Sequence, residues 1–310
     1  MIKIHNLCTI IGLLLTFSIQ SKTNIELLLE IASEKMKTDL DQSERYIKEA
    51  LKLAPKNPEV NYMCGRVMGR QAGEAFFSAF SYAKKSLNCL KTAVKLSPEK
   101  VKYRIALQTF YSEAPSIAGG DVKLAFDQVK HIKNINNLEG AKAEIQYYLS
   151  TEEKEKLNER LIDFRNQYPE EPEFHYRHGL LQQEFKDFDK AFDSFNQSVI
   201  SFGHKIGSVY PGKEISRSDS DRTRFLLNAL YQLGRNAVFS KSNIQQGVDA
   251  LKDFTLLQKN DNSAPPIEWA YLRLAQLHHL KHQPELMETY IKLIEKSDDK
   301  ELQTAIRKIK

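Results

Sequence analysis

Two stretches of the chain, residues 55–65 and 169–179, match each other without a gap. They read PKNPEVNYMCG and PEEPEFHYRHG, so that two prolines, a glutamate, a tyrosine and a glycine coincide at an offset of 114 residues. An internal repeat of this kind is typical of arrays of small structural units, and the offset corresponds to three units of about 38 residues. The first proline ends one helix, and the second is tolerated in the first turn of the next, where its missing N–H has no intrahelical partner. The pattern therefore predicts an array of helical hairpins.

Composition favours helices over strands. The 13 glycines and 10 prolines among 310 residues make up about 7% of the chain, against roughly 12% in an average protein. So few turn-forming residues argue against a sheet-rich fold with many tight turns. Hydrophobic residues make up 41% of the chain, which is enough apolar surface to exclude a mainly disordered protein.

The residues after Gly179 extend the pattern. Phe188, Ala191 and Phe195 follow this glycine by 9, 12 and 16 residues. This pattern resembles the tetratricopeptide repeat (TPR), which has a small residue in its first helix and then an aromatic, a small and a large apolar residue in its second. Gly65, Gly179 and Ala191 are expected to let two antiparallel helices approach closely, and Phe195 to fill the space between repeats.

The resemblance implies an all-α fold, a right-handed α-solenoid of TPR-like hairpins. About seven hairpins are expected from Asn24 to Ser297, and an amphipathic capping helix over Asp299–Ile309. The expected domains are a signal peptide (1–21), N-terminal repeats (22–200), a polar connecting loop (201–222), and C-terminal repeats with the capping helix (223–310).

The amino terminus indicates export. Residues 7–19 form an uncharged apolar run of 13 residues. This run is shorter than the roughly 20 residues of a membrane-spanning helix but suits the apolar region of a secretory signal. An uncleaved anchor and a buried first helix are the alternatives. We therefore expect an exported protein, periplasmic or otherwise extracytoplasmic, with no stable membrane span after signal removal.

Two cysteines, Cys64 and Cys89, remain once the signal segment is excluded. An oxidising compartment permits them to pair. Both lie in predicted helices, however, where a free cysteine usually behaves as a small buried hydrophobe. We expect two free thiols, and a Cys64–Cys89 bridge is the alternative.

Three departures from a regular repeat mark positions where function could have been added, one of them the polar connection 201–222. About nine extra residues fall around 71–82, compared with a standard unit. Residues 114–121 read APSIAGGD and are similar to the P-x-I-x-G-G turn of certain bacterial exported repeat proteins, including those that accompany tripartite periplasmic transporters. The turn could bind an anion at free helix-start amides. We favour a structural explanation, in which Gly119 and Gly120 have positive φ and Asp121 caps a helix.

No sequence motif predicts catalysis or a cofactor. Residues 207–213 have the spacing of a phosphate-binding loop, but Glu214 replaces the Ser or Thr that would hold magnesium. His278, His279 and His282 form an H-H-x-x-H pattern and are weak candidate metal ligands. A solvated helix end is the favoured interpretation of these histidines. The chain is therefore not expected to be an enzyme.

The resemblance implies that the concave face, lined by the first helix of each hairpin, binds a protein or peptide. Nucleic acid is not expected, because lysine and arginine alternate with glutamate throughout despite the net charge of +5. A homo-oligomer is compatible with the sequence. Helical phase, counted from the packing glycines, predicts these partner-binding residues: Glu59, Tyr62, Arg66, Arg70, Lys102, Thr109, Tyr176 and Gln183.

The leading functional hypothesis is thus a non-enzymatic scaffold or adaptor of the cell envelope. The second hypothesis is an accessory subunit of a solute-uptake system that shelters a small apolar ligand. A metal-binding protein that uses the three histidines is the third.

Overall fold

A computed structural model describes residues 24–207, 220–258 and 264–309. These ranges contain fifteen α-helices and no strand, so the fold is the predicted all-α solenoid. The expected signal segment, most of the expected connecting loop (201–222) and most of the phosphate-loop spacing lie outside the described residues. None of the helices in the described part is both long and apolar enough to cross a membrane. The helices are α1 (24–35), α2 (Leu40–Leu53), α3 (Pro58–Glu74), α4 (Ala79–Leu96), α5 (Val101–Glu113), α6 (Val122–Ile135), α7 (Asn137–Ser150), α8 (Lys154–Gln167), α9 (Pro172–Glu184), α10 (Phe188–Ser201), α11 (Ser220–Ser240), α12 (Ile244–Leu257), α13 (Ile267–Leu280), α14 (Pro284–Ile294) and α15 (Lys300–Arg307).

The helices form two compact units, which divide between Glu153 and Lys154. Unit 1 runs through α7 and unit 2 begins with α8. The division does not fall in the 201–222 connection, because α10 and α11 on either side of that connection pack closely against each other. Phe195 of α10 and Leu230 of α11 belong to one buried cluster.

In unit 1, small residues set the spacing of the helix pairs. Gly65 of α3 faces Leu90 of α4, and a Cβ atom added to this glycine would lie 2.4 Å from Leu90 Cδ2. Ala32 of α1 and Ile47 of α2 are fully buried in the cluster that continues onto α3. Ser43 also ties α2 to α1, because its hydroxyl donates to the Ala32 carbonyl at 2.7 Å.

Unit 2 uses the same arrangement. A Cβ atom added to Gly179 of α9 would lie 2.6 Å from the Phe195 ring of α10, and one added to Gly234 of α11 would lie 2.2 Å from Leu251 of α12. Ala191 is fully buried beside Phe195, whereas Phe188 at the start of α10 is half-buried. The closing helix α15 covers the end of the array with Leu302 and Ile306.

The two matching stretches fold into alike helix starts. Pro58 and Pro172 each occupy the first turn of a helix. Side chains at equivalent positions bond back to the preceding proline: Asn61 Nδ2 donates to the Pro55 carbonyl at 2.8 Å, and His175 Nε2 lies 2.9 Å from the Pro169 carbonyl. The sequence repeat therefore corresponds to a structural repeat.

Residues 114–121 form a compact turn that partly matches the prediction. Gly119 has φ +101° and Asp121 caps α6, its carboxylate accepting from the backbone N–H of Lys123 at 2.9 Å. Gly120 was wrongly expected to need a positive φ. It needs to be glycine because a Cβ atom there would lie 1.7 Å from the Ala114 carbonyl oxygen.

The extra residues around 71–82 do not form a separate insertion. They lengthen α3 to 17 residues and α4 to 18, so that the two helices are joined only by residues 75–78. The longer hairpin extends beyond the ends that a standard unit would have.

The expectation of two free thiols is wrong, because Cys64 of α3 and Cys89 of α4 form a disulfide, with their Cα atoms 5.9 Å apart. The two residues are 25 positions apart in sequence, but the antiparallel pairing of α3 and α4 places them face to face. The alternative, a Cys64–Cys89 bridge, is therefore the correct one. Cys64 is buried in its helix as predicted, whereas Cys89 is half-buried.

Candidate interaction site

A cavity of about 820 Å³ lies in unit 1 between α3, α4, α5 and the 114–118 turn. Its size falls within the range of about 300–1,000 Å³ that is usual for ligand pockets. Glycines and alanines create the space. A Cβ atom on Gly73 would meet no other atom within 4 Å, and Ala72, Ala79 and Ala83 also face the cavity.

Four predicted partner-binding residues line this cavity, namely Tyr62, Arg66, Lys102 and Thr109. They come from α3 and α5, the first helices of consecutive hairpins, which lie side by side in unit 1. Two other predicted residues lie outside the walls: Glu59 holds Lys102 through an ion pair of 2.7 Å, and Arg70 pairs with Glu74 at 3.1 Å.

A charged and aromatic cluster occupies one end of the cavity. Tyr103 donates to Glu59 Oε2 at 2.7 Å, and its ring centroid lies 5.1 Å from that of Tyr62. Burial alone would raise the pKa of Glu59, but hydrogen bonds from Lys102 and Tyr103 and the charge of Lys102 lower it below its ordinary value. Burial, and then the Glu59 carboxylate, raise the pKa of Tyr103. The cluster therefore keeps Glu59 ionised and Tyr103 neutral near neutral pH.

Arg66 is the exposed cation of this end. Its guanidinium lies 5.7 Å from the Tyr62 ring centroid, and no carboxylate pairs with it among the described residues. A guanidinium that stacks on an aromatic ring and keeps its donors free is well suited to contact a partner.

Large apolar side chains lie on the cavity wall and in the α3–α4 connection beside it. Phe76 and Phe77, in the short α3–α4 connection, are 89% and 96% exposed and touch edge to face. Phe80 and Ile117 line the cavity and are themselves exposed. An apolar patch of this kind beside a cavity is typical of an interaction surface.

The predicted residues of α9 lie in unit 2. The Tyr176 ring packs between Phe195 and Phe225, with centroid distances of 5.9 and 5.6 Å. Gln183 donates to Asn236 Oδ1 at 3.1 Å and accepts from Arg235 at 3.2 Å. Thus Tyr176 packs mainly within the hairpin array, whereas Gln183 is part of a polar network that leads to Arg235.

The three histidines are not a solvated helix end, because His278 is buried. Its ring stacks on Tyr290 with centroids 5.5 Å apart, and its Nδ1 lies 2.7 Å from Gln283 Oε1. His279 and His282 are exposed. No group of three potential metal ligands occurs within the described ranges.

Solved structures with a similar fold include yeast Tom70, with a TM-score of 0.62 at 15% identity, covering 93% of this chain and 54% of Tom70. The Cut9–Hcn1 hetero-tetramer of the APC/C gives 0.52 at 12% identity, covering 91% and 52%. A tetratricopeptide repeat protein from Parabacteroides merdae gives 0.45 at 12% identity, covering 93% and 99%. This chain spans about half the length of the Tom70 and Cut9 chains it matches.

The chain has the TPR fold. No protein-family model matches the sequence, and no curated protein does.

Counting from the packing glycines also identifies Arg235, a residue that the sequence prediction missed. Arg66 directly follows the packing glycine Gly65, and Arg235 directly follows Gly234. The same count from Gly234 would therefore have given Arg235. Arg273 of the next hairpin does not follow a packing glycine, so the same count does not predict it. Its guanidinium faces the Phe239 ring, as does the guanidinium of Arg235.

Proposed function

We propose that this protein is a non-enzymatic scaffold of the cell envelope that binds another protein or a peptide over the cavity of unit 1. The observation that carries the proposal is the cavity itself, with Tyr62, Arg66, Lys102 and Thr109 on its walls. These four residues were predicted from helical phase alone, and the same geometry provides an apolar recess with a free cation at one end.

The surface matches the usual composition of a protein-binding site. Aromatic residues and arginine provide most of the contact energy in such sites, and lysine paired at the rim provides less. Tyr62 and Arg66 form a polar part of the cavity wall, and Phe80 and Ile117 form an apolar part, with the exposed Phe76 and Phe77 in the neighbouring α3–α4 connection. A bound segment would therefore place an apolar side chain in the cavity and a polar or acidic group near Arg66.

Export is proposed on two observations. Residues 7–19 have the length of a signal-peptide apolar region. The Cys64–Cys89 disulfide is of the kind that forms and persists in oxidising compartments. Mass spectrometry of the protein isolated from its host should find a mature chain that begins near Lys22. A full-length chain with free thiols would contradict export.

Binding is tested by capture of partners from the native compartment, followed by mass spectrometry. The Tyr62→Ala/Arg66→Ala double variant should lose most of the partner, because both side chains line the cavity. Arg70→Ala is the matched control, because Arg70 lies on the same helix but pairs with Glu74 outside the walls. Undiminished capture by the double variant would reject the proposed site.

An accessory role in solute uptake is a second candidate, favoured by one observation. Pro115, Ile117 and Ala118 of the P-x-I-x-G-G turn form part of the cavity wall. In that role the cavity would shelter a small apolar ligand. Native mass spectrometry of the purified protein should then show a bound small molecule that the Ala83→Phe variant, which fills the cavity, lacks.

A further inference from the structure

Two arginines of unit 2 face the same aromatic ring. The guanidinium of Arg235, on α11, lies 4.9 Å from the Phe239 ring centroid, and that of Arg273, on α13, lies 5.6 Å from it. Arg273 also lies 5.7 Å from the Trp269 ring. Two cations therefore converge on one half-exposed aromatic side chain.

Neither guanidinium has an ion-pair partner among the described residues. Arg235 donates to the side-chain oxygens of Gln183 and Gln232, both at 3.2 Å, and Arg273 donates to Gln276 at 2.8 Å. All three acceptors are neutral amides, and in the part of the chain that the structure describes no carboxylate pairs with either arginine. The Arg273 Nε atom is buried and has no hydrogen-bond partner there. A guanidinium carries five N–H donors, so much of the donor capacity of this pair is unused.

The environment penalises this arrangement. Both arginines are partly buried. Burial, and then the neighbouring charge of Arg273, lower the pKa of Arg235 below its ordinary value. Like charges in a partly desolvated position repel each other and lack the water that would stabilise them. An anion bound between them would supply acceptors and relieve the repulsion.

We infer that Arg235 and Arg273 form a docking point for a carboxylate of an acidic peptide segment of the partner. The planar guanidinium fork matches a carboxylate in shape and donor spacing. Phe239 and Trp269 beside the pair provide apolar contact for a neighbouring side chain of the same segment. The inference rests on the proposed function, because it specifies the chemistry of the protein or peptide that the scaffold binds.

Trp269 provides an intrinsic fluorescence probe for this site. Trp269 is the only tryptophan of the protein, and it touches Arg273. Its emission can be followed in the intact, disulfide-bonded chain during titration with an acetylated, amidated peptide of sequence Glu-Phe-Glu-Leu-Glu. The peptide Gln-Phe-Gln-Leu-Gln and inorganic phosphate are titrated in parallel.

The acidic peptide should give a saturable change, and its glutamine counterpart none. The Arg235→Gln/Arg273→Gln variant should lose at least about tenfold in affinity, as expected when charged partners of a carboxylate are removed. Arg70→Gln, which removes the same kind of charge from unit 1, should bind as the unaltered protein does. If the double glutamine variant is misfolded by far-UV circular dichroism, Arg235→Lys/Arg273→Lys replaces it; it keeps the charge without the planar fork and should also bind more weakly.

Three outcomes would overturn the inference: equal binding of the glutamine peptide, no saturable change with the acidic peptide, or a saturable change with phosphate alone. The last would indicate a site for a free oxyanion. The proposed function is judged separately by partner capture through Tyr62 and Arg66 in unit 1. Capture without acidic-peptide binding would defeat this inference alone, and peptide binding without capture would defeat the unit 1 site alone.

Discussion

Gly179 of α9 and Phe195 of α10 face each other across their helical hairpin. A Cβ atom at position 179 would lie 2.6 Å from the fully buried Phe195 ring, which has no space into which to move. Gly179→Ala should therefore lower the free energy of unfolding by about 1–3 kcal/mol through overpacking. Denaturant unfolding followed by far-UV circular dichroism, which follows the helices of both units, measures the change.

Gly73→Ala is the control for this substitution, because a Cβ atom there meets nothing within 4 Å. Replacing an open helical glycine by alanine should raise stability by up to about 1 kcal/mol. A loss of stability in Gly73→Ala, or none in Gly179→Ala, would show that close packing is not what requires the glycine.

His178 should make unit 2 sensitive to acid. Burial, and then the charge of Arg165, lower the pKa of His178 to about 4 from 6.5, and His175 shifts in the same direction. The Nδ1 atom of His178 lies 2.8 Å from Arg165 Nη1 and 2.8 Å from Ser194 Oγ. The charged side chains nearby are Lys190, Asp187 and Asp193. Because the folded-state pKa is depressed, the stabilisation is present above about pH 6.5 and is lost as the pH falls towards 4.

Replacing this histidine should remove part of the acid sensitivity. Between pH 7 and 4.5, His178→Gln should lose about 2 kcal/mol less of its unfolding free energy than the unaltered chain does. The comparison is made by urea unfolding at both pH values. The exposed His279→Gln serves as the control, and an equal acid loss in all three proteins would refute the assignment.

Burial follows from the repeat position of a residue, whereas its partner on another helix does not. Cys64 and His178 each precede a packing glycine at equivalent repeat positions, so their burial follows from the pattern. Their partners do not follow from it. Cys89 and Arg165 lie on neighbouring helices, and only the packing of those helices shows which side chains meet.

At the scale of helices, the repeat pattern predicted order and pairing well. Prolines, caps and small residues are local signals, and they placed helix starts such as those at Pro58 and Pro172 correctly. The length of α3 and α4 was not predicted, because extra residues can extend a helix pair as readily as they form a loop. The cavity follows from that extension, since it lies partly between the added turns.

The capping helix α15 should stabilise the end of unit 2. Leu302 is fully buried against Leu272 and Ile291, and Asp299 caps α15 while accepting from Trp269 Nε1 at 3.1 Å. Leu302→Ala should cost about 2–5 kcal/mol, as is usual for a large-to-small change in a core. Leu293→Ala, on the exposed side of α14, should cost much less. Equal effects of the two changes on the Trp269 unfolding transition would show that α15 is not a cap.

At the scale of the whole molecule, two compact units, each with its own buried clusters, predict unfolding in more than one step. Repeat arrays depart from two-state behaviour when parts of the array have unequal stability. The disulfide lies in unit 1 and the only tryptophan in unit 2. The two steps can therefore be separated by perturbing one unit and observing the other.

Cys64→Ser/Cys89→Ser should destabilise unit 1 by about 3 kcal/mol, the order expected when a loop of this size is no longer closed. Far-UV circular dichroism, which follows helices of both units, should then lose part of its signal at lower denaturant. The Trp269 transition should stay where it was, because that residue reports on unit 2. Reductant should reproduce the change in the unaltered chain and leave the double variant unaffected. If both probes shift together by the same amount, the two units unfold as one, and a bond in α3 and α4 stabilises the whole array.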